Sequence, residues 1–216
     1  MYYIINGLVL KSKIQGEHDK VITVYSYQWG KIQALVPSAK KIAAKLSAAT
    51  EPLTESEFHI FNRSSLIRPR ITGAVIVNNN TVIKSDFMRN LYALYAAEIS
   101  DKFVPSYIEN TKKYNLIIRI WEILKYCKYP KRALTAFILR FLKLSGYSFL
   151  DYIRNNKLYS GTHIEVDVKR LSTCPGDEVD FIEEIEEEKI WNYVESYITN
   201  YIHRPSVSVF LQKISK

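Results

Sequence analysis

The chain has 216 residues, of which 47% are hydrophobic and 24% are charged, a composition typical of a globular protein with a sizeable core. The formal net charge of +8 at pH 7 favours polyanionic partners, either nucleic acid or an anionic membrane surface. Cys127 and Cys174 are the only cysteines, which excludes a disulfide framework, a four-cysteine metal site and a CxxC redox motif. We therefore expect a reducing, cytoplasmic setting. No apolar run reaches the ~18 residues of a membrane span, and the N-terminus lacks the pattern of a secretion signal.

The positive charge is unevenly distributed along the chain. Residues 1–85 carry 11 Lys and Arg against 5 Asp and Glu, and residues 86–160 carry 13 against 6. Residues 161–216 reverse the balance, with 6 against 11. The acidic excess is concentrated at 177–188, just before a helical pattern, where we interpret it mainly as a solvated first helical turn. A metal-binding or catalytic carboxylate cluster is the alternative.

The first 80 residues read as strands. Short β-branched and aromatic runs at 2–11, 20–28, 31–36, 53–61 and 66–77 are separated by turn residues. The segment 40–49 is rich in Ala and Lys and predicts a short helix between the third and fourth strands. Five strands with a helix at that position predict an OB-fold barrel, a fold that often binds single strands.

From residue 81 the hydrophobic period becomes helical, which predicts an all-α domain over 81–216 and an α+β protein overall. Helices are expected at 86–104 and 107–127, then at 130–144, where Pro130 can sit in the first turn and Gly146 can end the helix. Two more are expected at 186–202 and 206–214. The stretch 159–175 has no clear period, and we expect it to be partly mobile.

A search for catalytic chemistry finds no recognised motif. GxGxxG, GxxxxGK[ST] and HExxH are absent, and the four histidines are scattered along the chain. Cys174 could be a reactive thiol, but nothing in the sequence places a base beside it. We expect a protein without enzymatic activity, metal or cofactor.

Cations and aromatic side chains are interleaved in the strand-rich half, the pattern that single-stranded nucleic acid requires for phosphate contacts and base stacking. If residues 27–30 form a hairpin loop, Tyr25 lies opposite Ile32 and packs in the core. Tyr27 and Trp29 then lie near the loop tip, as stacking or as packing residues. The residues predicted to bind DNA are Lys11, Lys13, Tyr27, Trp29, Lys31, Lys40, Lys41, Lys45, Arg68 and Arg70.

The order and spacing of several short motifs resemble those of the bacterial RecO family of DNA repair proteins and recombination mediators. In the strand half these are GLVLK (7–11), GEHD (16–19), TVYS (23–26), GK (30–31), PSAKK (37–41) and EPLT (51–54). In the helical half they are YAAE (95–98), FILR (137–140), LSGY (144–147), HRPS (203–206) and FL (210–211). The resemblance runs nearly the whole length of the chain.

The resemblance implies an N-terminal OB-fold, a C-terminal helical domain, binding of single- and double-stranded DNA, and annealing of complementary strands. It also implies help in loading the recombinase onto DNA coated by single-strand-binding protein, together with the partner RecR. The acidic, apolar C-terminal tail of single-strand-binding protein would suit an apolar groove rimmed by cations, for which we predict Lys131, Arg132 and Arg140. The same cations could instead form a second DNA surface for annealing, with Lys125, Lys128 and Lys143.

Two departures from the family pattern matter. Many members carry a four-cysteine zinc module after the third helix, whereas residues 148–176 contain only Cys174, so we expect no structural zinc. Ser38 replaces the family's glycine in the basic turn that holds Lys40 and Lys41. Two other functions remain open, a protein-binding adaptor that acts through its helical half and an RNA-binding OB-fold protein.

Overall fold

The computed structural model describes residues 1–37, 44–63, 68–155, 162–202 and 205–207. Within these ranges the chain divides into two compact units. The first comprises Met1–Val82 and Val104–Tyr114, and the second comprises Ile83–Phe103 and the described residues from Asn115 onward. The segment 104–114 therefore folds with the strand-rich unit, although it lies beyond the first helix of the helical half.

Five strands form a closed barrel in the first unit, with the order β1-β2-β3-β5-β4. The strands are β1 (Tyr2–Gln15), β2 (Asp19–Ser26), β3 (Gly30–Val36), β4 (Glu55–Phe61) and β5 (Arg70–Asn78), and helix α1 (Ala44–Ala49) joins β3 to β4. All strand pairs are antiparallel except β3 and β5, which pair in parallel at Leu35 and Arg70. This is the expected OB-fold arrangement, and it confirms the predicted fold class.

The barrel interior is filled by alternate residues of every strand, as the period of two requires. Ile5, Ile22, Ile32 and Phe58 are almost completely buried there, and Leu46 of α1 packs against the same core. Because α1 contributes a side chain to the core, it is part of the barrel's packing.

The hairpin between β2 and β3 differs from the predicted one by one residue. Ser26 pairs with Gly30, so the loop has three residues and Tyr25 lies opposite Lys31, not Ile32. Gly30 ends the loop with φ of +66°, the left-handed conformation that glycine favours in three-residue hairpins. The one-residue shift places Tyr25 on the outer face of the barrel. Tyr25 is nevertheless buried, as predicted, because the segment 104–114 covers it.

The second unit is helical. Its described helices are α3 (Phe87–Phe103), α4 (Thr111–Tyr126), α5 (Pro130–Leu144), α6 (Phe149–Asn155), α7 (His163–Thr173) and α8 (Glu187–Thr199). The short α2 (Thr81–Ser85) precedes them, a 3₁₀ turn spans Gly176–Phe181, and the first turn of α4 belongs to the first unit. No single described helix has the length and apolarity to cross a membrane, and α5 and α6 pass that test only as a pair bent by 76°.

Helix α5 begins and ends at the predicted residues, with Pro130 in its first turn and Gly146 just beyond it at φ of +86°. The stretch 159–175, in which the sequence shows no clear period, contains helix α7 at His163–Thr173. Its expected partial mobility stays a prediction. Ile164, Val168 and Leu171 are buried at helical spacing on one face of α7. Most of the helix expected at 206–214 lies outside the described residues.

Candidate nucleic-acid interface

The strand register brings several predicted cations to the outer face of the barrel. Lys13 lies opposite Val21, Val21 opposite Leu35, and Leu35 opposite Arg70. Residues directly opposite one another in a sheet have side chains on the same face, so Lys13 and Arg70 share the outer face. Lys11 joins them, because it lies opposite Thr23 two positions from Val21.

Arg68 adds a further positive charge beside this row. Its guanidinium donates hydrogen bonds to Oε1 of Gln15 at 3.1 Å and to Oε1 of Gln33 at 3.2 Å. Both acceptors are neutral amides, which orient the guanidinium without cancelling its charge. We call the surface formed by Lys11, Lys13, Arg68 and Arg70 the basic face.

The basic face is exposed and electrostatically uncompensated within the described part of the chain. All four side chains are exposed, and none of them forms an ion pair with a described carboxylate. Lysine and arginine that are not paired internally can neutralise phosphates and release counterions from nucleic acid. Because these contacts address the backbone, the basic face would bind without reading sequence.

The other end of the same sheet face is closed by the segment 104–114. The Tyr107 amide donates to the Lys31 carbonyl at 2.9 Å, and the Tyr25 hydroxyl donates to the Asn110 carbonyl at 3.2 Å. Burial raises the pKa of Tyr25 to about 12, because the charged phenolate loses its hydration. Lys31 is therefore half-buried beside this segment and does not belong to the open basic face.

The two predicted stacking residues have different surroundings. Tyr27 lies in the β2–β3 loop with 46% of its surface exposed, and its ring meets Tyr114 edge-on at 5.4 Å between centroids. Trp29 is half-buried, packs against the barrel core and contacts the ring of Tyr3 at 4.9 Å. Tyr27 can offer a ring to a ligand, whereas Trp29 mainly supports the barrel end.

Part of the predicted site cannot be placed. Lys40 and Lys41 lie outside the described residues, and so does the side chain of Lys45 at the start of α1. Their role in DNA binding stays a prediction.

The predicted partner-binding cations of α5 are held by contacts within the second unit. Lys131 Nζ pairs with Glu188 at 2.6 Å and lies over the Trp191 ring. Arg132 pairs with Glu187 at 3.1 Å and donates to the Ile182 carbonyl at 2.6 Å. The acidic first turn of α8, interpreted from sequence as solvated, therefore compensates the charge of α5 as well.

Arg140 differs from Lys131 and Arg132 because it bonds backbone carbonyls instead of a carboxylate. Its guanidinium donates to the backbone carbonyls of Leu171, Ser172 and Cys174, at the C-terminal end of α7. Burial lowers the pKa of Arg140 from its usual value, and the nearby Arg119 lowers it further. This arginine ties α7 to α5, and any partner would have to compete with that structural role.

The described residues hold no group of three or more His, Cys, Asp or Glu side chains arranged to bind a metal ion. Cys127 is buried, and desolvation raises the pKa of its thiol to about 11. A thiol with so high a pKa is a poor nucleophile at neutral pH.

Sequence reasoning missed the segment 104–110, which it assigned mostly to a helix. Two local signals were available, since Pro105 disfavours a helix across it and Asn110 is a good N-cap residue. In the structure the Asn110 side chain accepts a hydrogen bond from the Lys113 amide at 3.0 Å and caps α4. No local signal indicates that the segment then packs on β2 and β3.

Comparison with known proteins agrees with this architecture. Residues 1–80 match the family model described as "Recombination protein O N terminal". A protein called "DNA repair protein RecO" from Oceanobacillus iheyensis is 31% identical over 100 residues, which cover 46% of this chain and 38% of that protein. A protein of the same name from Heliobacterium modesticaldum is 28% identical over 146 residues, covering 67% of this chain and 52% of its own length.

A third relative, "DNA repair protein RecO" from Caldicellulosiruptor bescii, is 27% identical over 146 residues, or 68% of this chain and 59% of that protein. The chain thus spans about half the length of the curated relatives it matches. The family model covers the whole barrel, and the longer alignments extend well into the helical unit. This chain is therefore similar to proteins of the RecO family over its barrel and part of its helical unit.

Proposed function

We propose that this protein acts in DNA repair and recombination by binding DNA on the basic face of its barrel. The observation that carries the proposal is the register of β1, β2, β3 and β5, which aligns Lys11, Lys13 and Arg70 on one outer face. The names of its relatives, "DNA repair protein RecO", support the same cellular role. The proposed activity is binding and not catalysis.

The finer activities are those that the RecO resemblance implies. The protein binds single- and double-stranded DNA in the cytoplasm, anneals complementary strands, and helps to load recombinase onto DNA coated by single-strand-binding protein. Its proposed protein partners are RecR and the acidic C-terminal tail of single-strand-binding protein. A tail that binds at Lys131 and Arg132 has to displace Glu188 and Glu187 from these cations.

A salt titration tests the DNA-binding proposal. Affinity for single-stranded DNA, duplex DNA and RNA is measured over a range of salt concentrations for the parent protein and for the double variant Lys11→Ala/Lys13→Ala. Loss of two phosphate contacts should weaken DNA binding and reduce the slope of log affinity against log salt by roughly 1.4 to 1.8. Tighter binding to RNA than to DNA would favour an RNA-binding protein, and no salt-dependent binding would favour a protein adaptor.

The matched control is Lys169→Ala/Lys189→Ala. It removes the same charge from exposed positions of the second unit, in the acidic part of the chain. If both double variants lose the same affinity and slope, the effect is one of net charge, and the assignment to the basic face is wrong.

A further inference from the structure

A second feature of the first unit has the chemistry of a nucleotide subsite. A pocket of about 670 Å³ lies beside the β2–β3 loop, and Tyr27, Gln28, Glu109, Asn110, Thr111 and Lys112 line it. The loop supplies Tyr27 and Gln28, and the segment 104–114 supplies the rest. All six residues belong to the first unit.

Hydrogen bonds hold both walls of the pocket in place. The Tyr27 amide donates to the Asn6 carbonyl at 3.0 Å, and Gln28 Oε1 accepts from the Asn6 amide at 3.1 Å and from the Ser26 hydroxyl at 3.2 Å. On the other wall, Asn110 accepts from the Lys113 amide through its side chain and from the Tyr25 hydroxyl through its carbonyl. Walls fixed in advance lower the entropic cost of binding a ligand.

The lining groups differ in chemistry from those of the basic face. Tyr27 offers an exposed aromatic ring, and Glu109 offers an exposed carboxylate that forms no ion pair within the described residues. Gln28 Oε1 already accepts two hydrogen bonds, so this side chain meets a ligand with its Nε2–H donors. Lys112 contributes an exposed ammonium group. These groups match the parts of one nucleotide. The aromatic ring can stack on the base, the anionic acceptor and the amide donor can bond its edge, and the cation can pair with its phosphate.

We propose that this pocket holds one unstacked, amino-bearing base of a DNA strand that is bound on the basic face. The base stacks on Tyr27, its exocyclic amine donates to Glu109, and its phosphate pairs with Lys112. A carboxylate accepts from the N4 amine of cytosine, whereas thymine has no amine and would turn a carbonyl oxygen toward Glu109. This inference rests on the proposed function and adds base selectivity to it.

The distance between the two sites suits a single strand that contacts both. Val21, opposite Lys13, and Tyr27 are six residues apart along β2 and its loop, which is about 20 Å at the rise of an extended strand. Because the segment 104–114 covers the outer face of β2 at Tyr25, a bound DNA strand reaches the pocket from the basic face by crossing over this segment. A DNA path of this length fits within the site size of an OB-fold, which covers ~4 to 16 nucleotides.

The test compares oligo-dC and oligo-dT of equal length at neutral pH and one salt concentration. The parent protein should bind oligo-dC at least about 5-fold more tightly. Glu109→Gln should bring this ratio close to one, because a glutamine side chain can donate to thymine as well as accept from cytosine. Glu17→Gln is the matched control, since Glu17 is an exposed carboxylate of the β1–β2 loop and its loss changes net charge equally; the ratio should stay at the parent value.

Two further variants test stacking. Tyr27→Leu should weaken oligo-dC binding by about 5- to 150-fold with an unchanged salt slope, because the lost contact is uncharged. Tyr27→Phe keeps the ring and should retain parent affinity, so a folding defect in the leucine variant leaves the inference testable. Equal affinity of the parent for both oligonucleotides, or a ratio that Glu109→Gln leaves unchanged, overturns the subsite. Absence of salt-dependent binding to either oligonucleotide overturns the proposed function itself.

Discussion

Replacing Arg140 by methionine should destabilise the helical unit, because this guanidinium satisfies carbonyls at the end of α7. It donates to Leu171 at 3.0 Å, to Ser172 at 3.3 Å and to the Cys174 carbonyl. The last carbonyls of a helix have no partner within the helix, and a cation there also complements the helix dipole. Methionine keeps most of the side-chain volume, so the substitution mainly removes the hydrogen bonds.

The magnitude follows from the number and kind of bonds. A hydrogen bond from a charged donor contributes about 1.5 to 3 kcal/mol, and three such bonds set an upper range. Arg140 is only partly buried, so water can replace some of the lost bonds, and the burial that lowers its pKa shows a desolvation cost that offsets part of the gain. We expect a loss of about 2 to 4 kcal/mol in the free energy of unfolding.

Tryptophan fluorescence during urea unfolding can isolate this effect. Trp121 and Trp191 belong to the second unit, whereas Trp29 belongs to the first, so a Trp29→Phe background reports the helical unit alone. The control is Lys143→Met on the same helix, which removes an exposed charge and should change stability by no more than ~0.5 kcal/mol. Equal stability of the two variants would refute the reasoning and leave Arg140 available for a protein partner.

Three other predictions concern the barrel and the metal content. Gly30→Ala should lower the free energy of unfolding by at least ~2 kcal/mol more than Gly16→Ala in thermal unfolding. Both glycines have φ of +66°, but only at Gly30 would the new Cβ clash with the Ile108 carbonyl oxygen. Burial raises the pKa of Tyr25 from 10.0 to about 12, so the stabilisation from its neutral hydroxyl is complete well below pH 10 and falls by about 1.4 kcal/mol per pH unit between pH 10 and 12; Tyr25→Phe should reduce the slope of unfolding free energy against pH by this amount in unfolding measured from pH 9 to 11. Elemental analysis should find well under one zinc per chain, and one zinc per chain would contradict the prediction.

Local sequence signals were enough to predict the elements whose ends depend on the conformational preferences of single residues. Pro130 and Gly146 delimit α5 because a proline suits a first helical turn and a glycine suits the left-handed residue that follows a helix. The five strands followed from β-branched runs between turn residues. Helix α7 was missed although Ile164, Val168 and Leu171 have helical spacing, because so short an amphipathic helix gains its stability from packing and little from propensity.

Contacts between distant parts of the sequence could not be predicted in this way. The hydrogen bond from Tyr25 to Asn110 joins residues 85 positions apart, and only the folded chain shows that a non-helical segment covers one end of the barrel face. Lys131 and Glu188 are likewise 57 positions apart. The sequence therefore indicated candidate cations but could not separate those that are compensated internally from those that are not.

The difference between compensated and uncompensated cations bears on the proposed strand annealing, because annealing requires two mutually repelling DNA strands to be neutralised together. The cations proposed for a second DNA surface include Lys125, Lys131, Arg132 and Arg140, and each of these has a partner within the second unit. In the pair of Lys131 with Glu188 the carboxylate is 75% exposed; ion pairs at the surface contribute only about 0.2 to 1 kcal/mol, so a polyanion can displace this carboxylate at small cost. The basic face needs no such displacement within the described residues, so we expect DNA to bind it with less competition than it meets at the cations of α5.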